Sequence, residues 1–144
     1  ETGYFGRLAA IQDISAVTAA CLMIKRSIYQ LIGGFDEEFM VALNDIDLCL
    51  KVRALGQLVV FHPYAELYHY ESKSRGFEDT PEKKARFKKE IRRFREKWAG
   101  ILEQGDPYYN PNLTLVRGDC SICSAYEKFE IVEEIEKDKK KGIE

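Results

Sequence analysis

Phe39-Met40-Val41-Ala42-Leu43-Asn44-Asp45-Ile46-Asp47-Leu48-Cys49-Leu50 changes character at Asn44. Phe39 to Leu43 is an apolar run that reads as extended. From Asp45 to Leu55 the pattern is helical. Asp45 is available to cap that helix, Asp47 suits the positive end of its dipole, and Gly56 ends it. An extended run that feeds carboxylates into a helix start is a junction of the kind that faces the ligand crevice in α/β folds. An Asp there can accept a proton from an incoming hydroxyl, or simply cap the helix, and spacing alone leaves both open. Asp45-Ile46-Asp47 also has the form of a metal-binding DxD, a match only three residues long.

Upstream, Ser15 to Ile24 is β-branched and apolar and is expected to be a buried strand. Lys25 to Ile32 reads as a short helix stopped by Gly33 and Gly34. Downstream, Leu58 to Phe61 is a short strand broken by Pro63, and Ala65 to Tyr70 is extended. Glu71 to Glu78 is a polar loop. Asp79-Thr80-Pro81-Glu82 is a helix start, and the helix runs to about Trp98. Phe87, Ile91, Phe94 and Trp98 give it an apolar stripe. Residues 82–97 hold nine basic and three acidic side chains, a local charge of +6. This is either a solvated face or a surface for anionic lipid or a pyrophosphate group. Asp106 to Leu113 is turn-rich and contains two prolines. Residues 119–144 hold eight acidic and five basic residues and read as a charged helix. Strands and helices alternate, which makes the class α/β, but the strands are few and short.

The whole chain has 144 residues, 45% apolar and 32% charged, with a net charge of −2. That balance excludes disorder over most of its length and gives no global field for nucleic acid. The longest apolar stretch, Val17 to Ile24, is too short to span a bilayer. The first residues do not read as a signal peptide, and a start at Glu1 rather than Met reads as a piece of something longer. Cys21 and Cys49 lie in apolar patterns and read as buried thiols. Cys120 and Cys123 form a CxxC, either an accidental pair or half of a redox or zinc site. The cysteine usage fits a reducing cytoplasm. Tyr68 to Gly76 is the densest polar cluster: His69 is a metal-ligand candidate or a satisfied structural histidine, and Arg75 beside Gly76 could fork onto a phosphate or join a surface ion pair.

Taken in order, five stretches carry a resemblance: Ser15 to Arg26, Gly33 to Glu37, Asn44 to Leu50, Tyr64 to Gly76 and Asp106 to Leu113. Together they resemble the C-terminal half of a family 2 glycosyltransferase of GT-A fold, the nucleotide-diphospho-sugar transferase fold, a short mixed sheet with flanking helices. The nearest kin in type are bacterial enzymes of O-antigen and rhamnan-type polysaccharide synthesis. The resemblance covers about residues 4–117, so residues 1–117 are expected to form the acceptor-side portion and residues 118–144 a separate charged segment.

The resemblance implies a sugar moved from a nucleotide-diphosphate donor to an acceptor hydroxyl, saccharide or lipid-linked, with inversion and no covalent intermediate. It implies a divalent metal, Mg or Mn, that stabilises the leaving diphosphate. The general base falls on Asp45, with Asn44 where the family usually has Glu. The metal histidine falls on His69, followed by Tyr70 where a second histidine is common. The donor-side strand-edge motif falls on Thr18, Ala19 and Ala20, with Ala19 where Gly is common. Asp47 is counted with the substrate-binding set, and Ser72, Ser74 and Arg75 fall in a loop near the diphosphate or acceptor. The family's DxD belongs to an N-terminal half not seen here, so this stretch alone is expected to be inactive. Exposed apolar surface and a sheet edge would then allow a homodimer. A cytoplasmic location is implied, with peripheral contact at the inner membrane face if the basic helix touches lipid. The alternative is a non-catalytic binding or assembly module that keeps the fold; Asn44, Ala19 and Tyr70 are the departures that favour it.

Overall fold

The computed structural model describes residues 3–68 and 80–124. It combines helices with one small antiparallel sheet. Strand β1 (Gln12–Asp13) pairs with β2 (Val60–Phe61) in the register Gln12↔Phe61 and Asp13↔Val60. A further bond from the Ile14 amide to the Val59 carbonyl, 2.9 Å, extends the pairing by one residue. The helices are α1 (Arg26–Leu31), α2 (Asn44–Ala54), α3 (Pro81–Lys97) and α4 (Ala99–Gln104).

Several elements form where the sequence pattern puts them. Gly33 and Gly34 follow α1 at φ 75° and 66°, the left-handed region that costs glycine nothing. Gly56 closes α2 at φ 72°. Thr80 caps α3 by accepting from the Lys83 amide, and Pro81 occupies the first turn, where its missing N–H is no loss. In the 106–113 segment, Asp106 and Asn110 each accept a bond from the amide two residues on, as Asx turns do.

Others differ. Ser15 to Ile24 forms no strand: Thr18 Oγ1 accepts from the Ala20 amide and bends the chain into a 3-10 turn at Ala19–Cys21. A local hydroxyl bond of this kind competes with ladder pairing. Cys21 is exposed there, not buried, whereas Cys49 is buried as expected. Phe39 to Leu43 is a series of bends rather than an extended run, and Leu43 sits at φ 65° as the residue before α2. Asp45 is therefore not the cap; it lies inside the first turn, and Leu43 at the cap position offers no side-chain bond. Of Leu58 to Phe61 only the last two residues pair, and Ala65 to Tyr68 pairs with nothing among the described residues. Gly118 to Ser124 is not helical; Ile122 bridges Leu113, so this part folds back on the 112–114 stretch.

Two small apolar clusters make the core. Phe39, Leu50 and Phe94 form one, with Leu43, Ile46, Trp98 and Ile101 packed around it. Cys49, Val52 and Val59 form the other, beneath Val17, Leu22, Ile24 and Ile28. Helix α2 belongs to both, so it is the central element. Its link to α3 is polar. Asp47 is fully buried, and its Oδ1 accepts from Trp98 Nε1 at 2.9 Å and from Lys97 Nζ at 2.7 Å. Lys51 Nζ lies 3.2 Å from Oδ2. Lys97 also bonds Asp36 at 2.7 Å, which anchors the bend before Phe39.

Burial pulls the Lys97 ammonium down, but its bonds to Asp36 and Asp47 outweigh that and hold its pKa above the ordinary lysine value. The bond from Lys97 holds the Asp36 carboxyl below the usual carboxylate range. A carboxyl with a depressed folded pKa contributes stability that is present above its unfolded value and is lost as pH falls through the folded one. Acidification below about pH 4 therefore lowers the urea midpoint, and Asp36→Asn makes that fall shallower. Removing the buried partner is costlier at any pH: Asp47→Ala destabilises by about 3–5 kcal/mol in denaturant titration, because Lys97 and the Trp98 N–H lose their common acceptor.

Candidate functional site

Asp45, Cys49 and Arg53 lie one turn apart on a single face of α2, and each ties down a different residue of the 15–19 segment. The Ala19 amide donates to Asp45 Oδ2 at 3.3 Å. The Cys49 thiol donates to the Val17 carbonyl at 3.8 Å. Arg53 Nη1 donates to Ser15 Oγ at 3.0 Å, and that hydroxyl donates to Asp106 Oδ1 at 2.6 Å. Four helical residues rise about 6 Å and two extended residues about 6.6 Å, so the two repeats stay in step. The segment that fails to enter a sheet is thus held by side chains of α2, running antiparallel to it.

The carboxylate of Asp45 ends this row. Its Oδ1 accepts from the Ile46 amide at 2.9 Å, and Asn44 Oδ1 accepts from the Asp45 amide at 2.7 Å. Asn44 and Asp45 are half-buried, while Thr18, Ala19 and Ala20 are exposed. The structure therefore brings together five of the residues singled out by sequence: Thr18, Ala19, Ala20, Asn44 and Asp45. The Ala19 and Ala20 amides already donate, to Asp45 and to Thr18. Burial pushes the Cys49 thiol up, and the charge of Asp45 one turn away adds to that, so this thiol is a packing and tethering group.

Asp47 is corrected as a substrate-binding residue. Two residues apart on a helix is a rotation of about 200°, so Asp45 and Asp47 point to different faces and cannot meet on one ligand. Asp47 instead faces α3, fully buried, with Lys51, Lys97 and Trp98 as partners. His69, Ser72, Ser74 and Arg75 lie outside the described residues. Among the described residues no group of three His, Cys, Asp or Glu side chains could hold a metal ion. The two Asp of the DxD-like triplet do not fit a cation, since one is already neutralised by lysines. Cys120 and Cys123 are free thiols, and Cys120 stands at φ 54° just before the bridged strand.

Cys49, Arg53 and Ser15 are site-forming residues that sequence reading passed over. The signal was the spacing of four from Asp45 to Cys49 to Arg53. Of two open hollows, one lies at the far end of this row, lined by Arg53, Ile101, Gln104 and Pro107, and the other is lined by Tyr4, Arg7, Gln12, Phe61 and Cys120; Asp45 lines neither.

The chain is 56% identical over 125 residues to the uncharacterized protein y4gI of Sinorhizobium fredii, a match covering 86% of this chain and 14% of that protein. It is 38% identical over 118 residues to the O-antigen biosynthesis protein RfbC of Myxococcus xanthus, covering 82% of this chain and 9% of RfbC. It is 32% identical over 65 residues to an N-acetylglucosaminyl-diphospho-decaprenol L-rhamnosyltransferase of Mycobacterium tuberculosis, covering 45% of this chain and 21% of that enzyme. The chain thus spans about a fifth or less of the length of these relatives. No family model matches it, and no solved structure matches it.

The Asp45–Ala19 tie makes a local prediction. In Asp45→Ala the Ala19 amide loses its acceptor and exchanges with solvent hydrogen faster, while amides in the middle of α2 keep their protection in the same exchange experiment.

Proposed function

We propose that this chain is the acceptor-side portion of a glycosyltransferase of bacterial surface-polysaccharide synthesis, a family 2 member of GT-A fold. In this reading Asp45 is the general base. The observation that carries it is the position of Asp45: a half-buried carboxylate, held by two backbone amides, two residues after a left-handed Leu43. A non-glycine residue in that conformation costs about 1–2 kcal/mol, and such strain concentrates at functional sites. The names borne by RfbC and the rhamnosyltransferase support the same reading.

Asp45 would take the proton of the acceptor hydroxyl as that oxygen attacks the sugar carbon, and the nucleoside diphosphate leaves from the opposite side with inversion. Each carboxylate oxygen has two lone-pair sites, so the bonds to Ala19 and Ile46 leave room for the acceptor proton. Those same bonds stop the carboxylate from turning away. The donor pocket and its DxD belong to another part of the longer protein, so the stretch by itself is inactive. The exposed Met23, Leu58, Leu67 and Tyr68 give that other part apolar surface to pack against. A divalent cation would draw on His69, which is outside the described residues, and would stabilise the leaving diphosphate. Synthesis from nucleotide sugars puts the site on the cytoplasmic side; among the described residues no helix is long and apolar enough to cross a membrane.

A binding module that keeps the fold without the chemistry is the second reading, favoured by Asn44 where a paired carboxylate is expected. The test is transfer from sugar nucleotides to a polyprenyl-diphosphate-linked saccharide by the longer protein that contains this stretch. In that assay Asp45→Asn is expected to lower kcat by about 10²–10⁴ with an unchanged circular dichroism spectrum. Full transfer by Asp45→Asn removes the base assignment. No transfer or sugar-nucleotide hydrolysis by the wild-type protein favours the binding module.

A further inference from the structure

Helix α3 has two working faces. Glu90, Phe94, Lys97 and Trp98 point into the body of the protein, where Glu90 is 3% exposed and its Oε2 accepts from the Ala42 amide at 2.8 Å. On the other side, at about 100° per residue, Lys84, Lys88, Arg92 and Arg95 fall within a sector of about 80°. All four are exposed. No carboxylate of α3 lies in that sector: Glu82 and Glu96 lie beyond its far edge, with Lys89 and with Arg93, which pairs with Glu38. Lys84 and Lys88 have no carboxylate partner among the described residues. Arg92 reaches Glu96 only at 3.9 Å, with both side chains about three-quarters exposed, which is a weak surface pair. Phe87, 41% exposed, borders the row on its inner side.

We infer that the row Lys84, Lys88 and Arg92 is a docking surface for an anionic phospholipid bilayer; Arg95, beside the row, is engaged in an interaction of its own. This does not depend on the transferase reading. The row extends over about 12 Å of helix in one line, which suits a flat charged sheet better than a single small anion. The chain as a whole carries −2 while residues 82–97 carry +6, so the positive charge is concentrated on α3 and would set a landing orientation. A nucleic-acid surface is usually backed by a net basic domain, and this chain is not one. The apolar stripe of α3 is largely committed to the core, so the helix adsorbs by charge with Phe87 as the available apolar contact and does not insert as an amphipathic anchor does. Such adsorption decays over a Debye length and is salt-sensitive.

The test is co-sedimentation of the full chain with vesicles of phosphatidylcholine alone or with about 30% phosphatidylserine. Binding is expected only with phosphatidylserine, and is lost between about 0.05 M and 0.5 M NaCl. Each of Lys84→Gln and Lys88→Gln is expected to weaken it about fivefold and the pair about 25-fold, whereas Lys89→Gln, outside the sector, changes it little. Lysine and glutamine have similar helix propensity, so circular dichroism confirms that α3 persists in each variant. Absence of binding to the anionic vesicles overturns the inference. So does an equal loss in Lys89→Gln, displacement of the protein by inorganic pyrophosphate at constant ionic strength, or binding to duplex DNA at least as tight as to the vesicles.

Discussion

The buried carboxylate of Asp47 is the point on which the packing of this chain turns. A carboxylate with no exposed surface must be met by cations and donors, or its burial is prohibitive. Lys97 at the end of α3, Trp98 just after it and Lys51 from α2 meet it, and Lys97 continues to Asp36 in the bend before Phe39. Three separate stretches are thereby fixed around one oxygen pair. The apolar clusters on either side are small and share only α2. Dispersion and burial hold those clusters together, but they do not specify one angle between α2 and α3; a directional polar clamp does.

A second consequence concerns the bend that precedes α2. Leu43 is left-handed, and a leucine adopts that conformation only where its surroundings outweigh the strain. Glu90 bonds the amide of Ala42, and Leu43 packs on the cluster of Phe39, Leu50 and Phe94. The residues of α3 that do this, Glu90 and Phe94, lie on the same face as Lys97 and Trp98. One face of α3 therefore secures both sides of Asn44–Asp45. That leaves the Asp45 carboxylate as the one acidic group of the junction not absorbed into the clamp.

The parts of this arrangement written in local chemistry were legible in the sequence. Thr80-Pro81 starts α3, Gly33-Gly34 and Gly56 end helices, and Asp106 and Asn110 make turns, because each depends only on near neighbours. The meeting of Asp45 with Ala19 was not written in the spacing; the Ala19 amide bonds Asp45 Oδ2 only once the chain has folded. The strand expected at Ser15–Ile24 illustrates the limit. Its alternation is real, with Leu22 and Ile24 half-buried and Met23 exposed, but alternation fixes which side faces inward, not what the backbone pairs with. Here the partner is a helix face, through Asp45, Cys49 and Arg53, and a tether between elements so far apart in sequence leaves no period-2 signature. The role of Asp47 was hidden for a related reason. Its partners Lys97 and Trp98 lie about 50 residues away, at the end of a helix whose basic row faces the other way.

Asp45 and Asp47 show how a helix separates two like residues into two jobs. In an extended strand, residues i and i+2 share a side and could hold one cation between them. On α2 the same spacing turns them about 200° apart. Asp47 goes inward to its lysines, and Asp45 goes to the Ala19 amide at the edge of solvent. A triplet that reads as one motif in sequence thus becomes one structural anchor and one accessible carboxylate. The anchor is what gives the accessible group a defined position: Asp47 fixes the first turn of α2 from behind, Ala19 and Ile46 fix the Asp45 oxygens from in front, and neither constraint consumes the lone pairs that face outward. A base for proton transfer needs that combination of fixed geometry and remaining acceptor capacity.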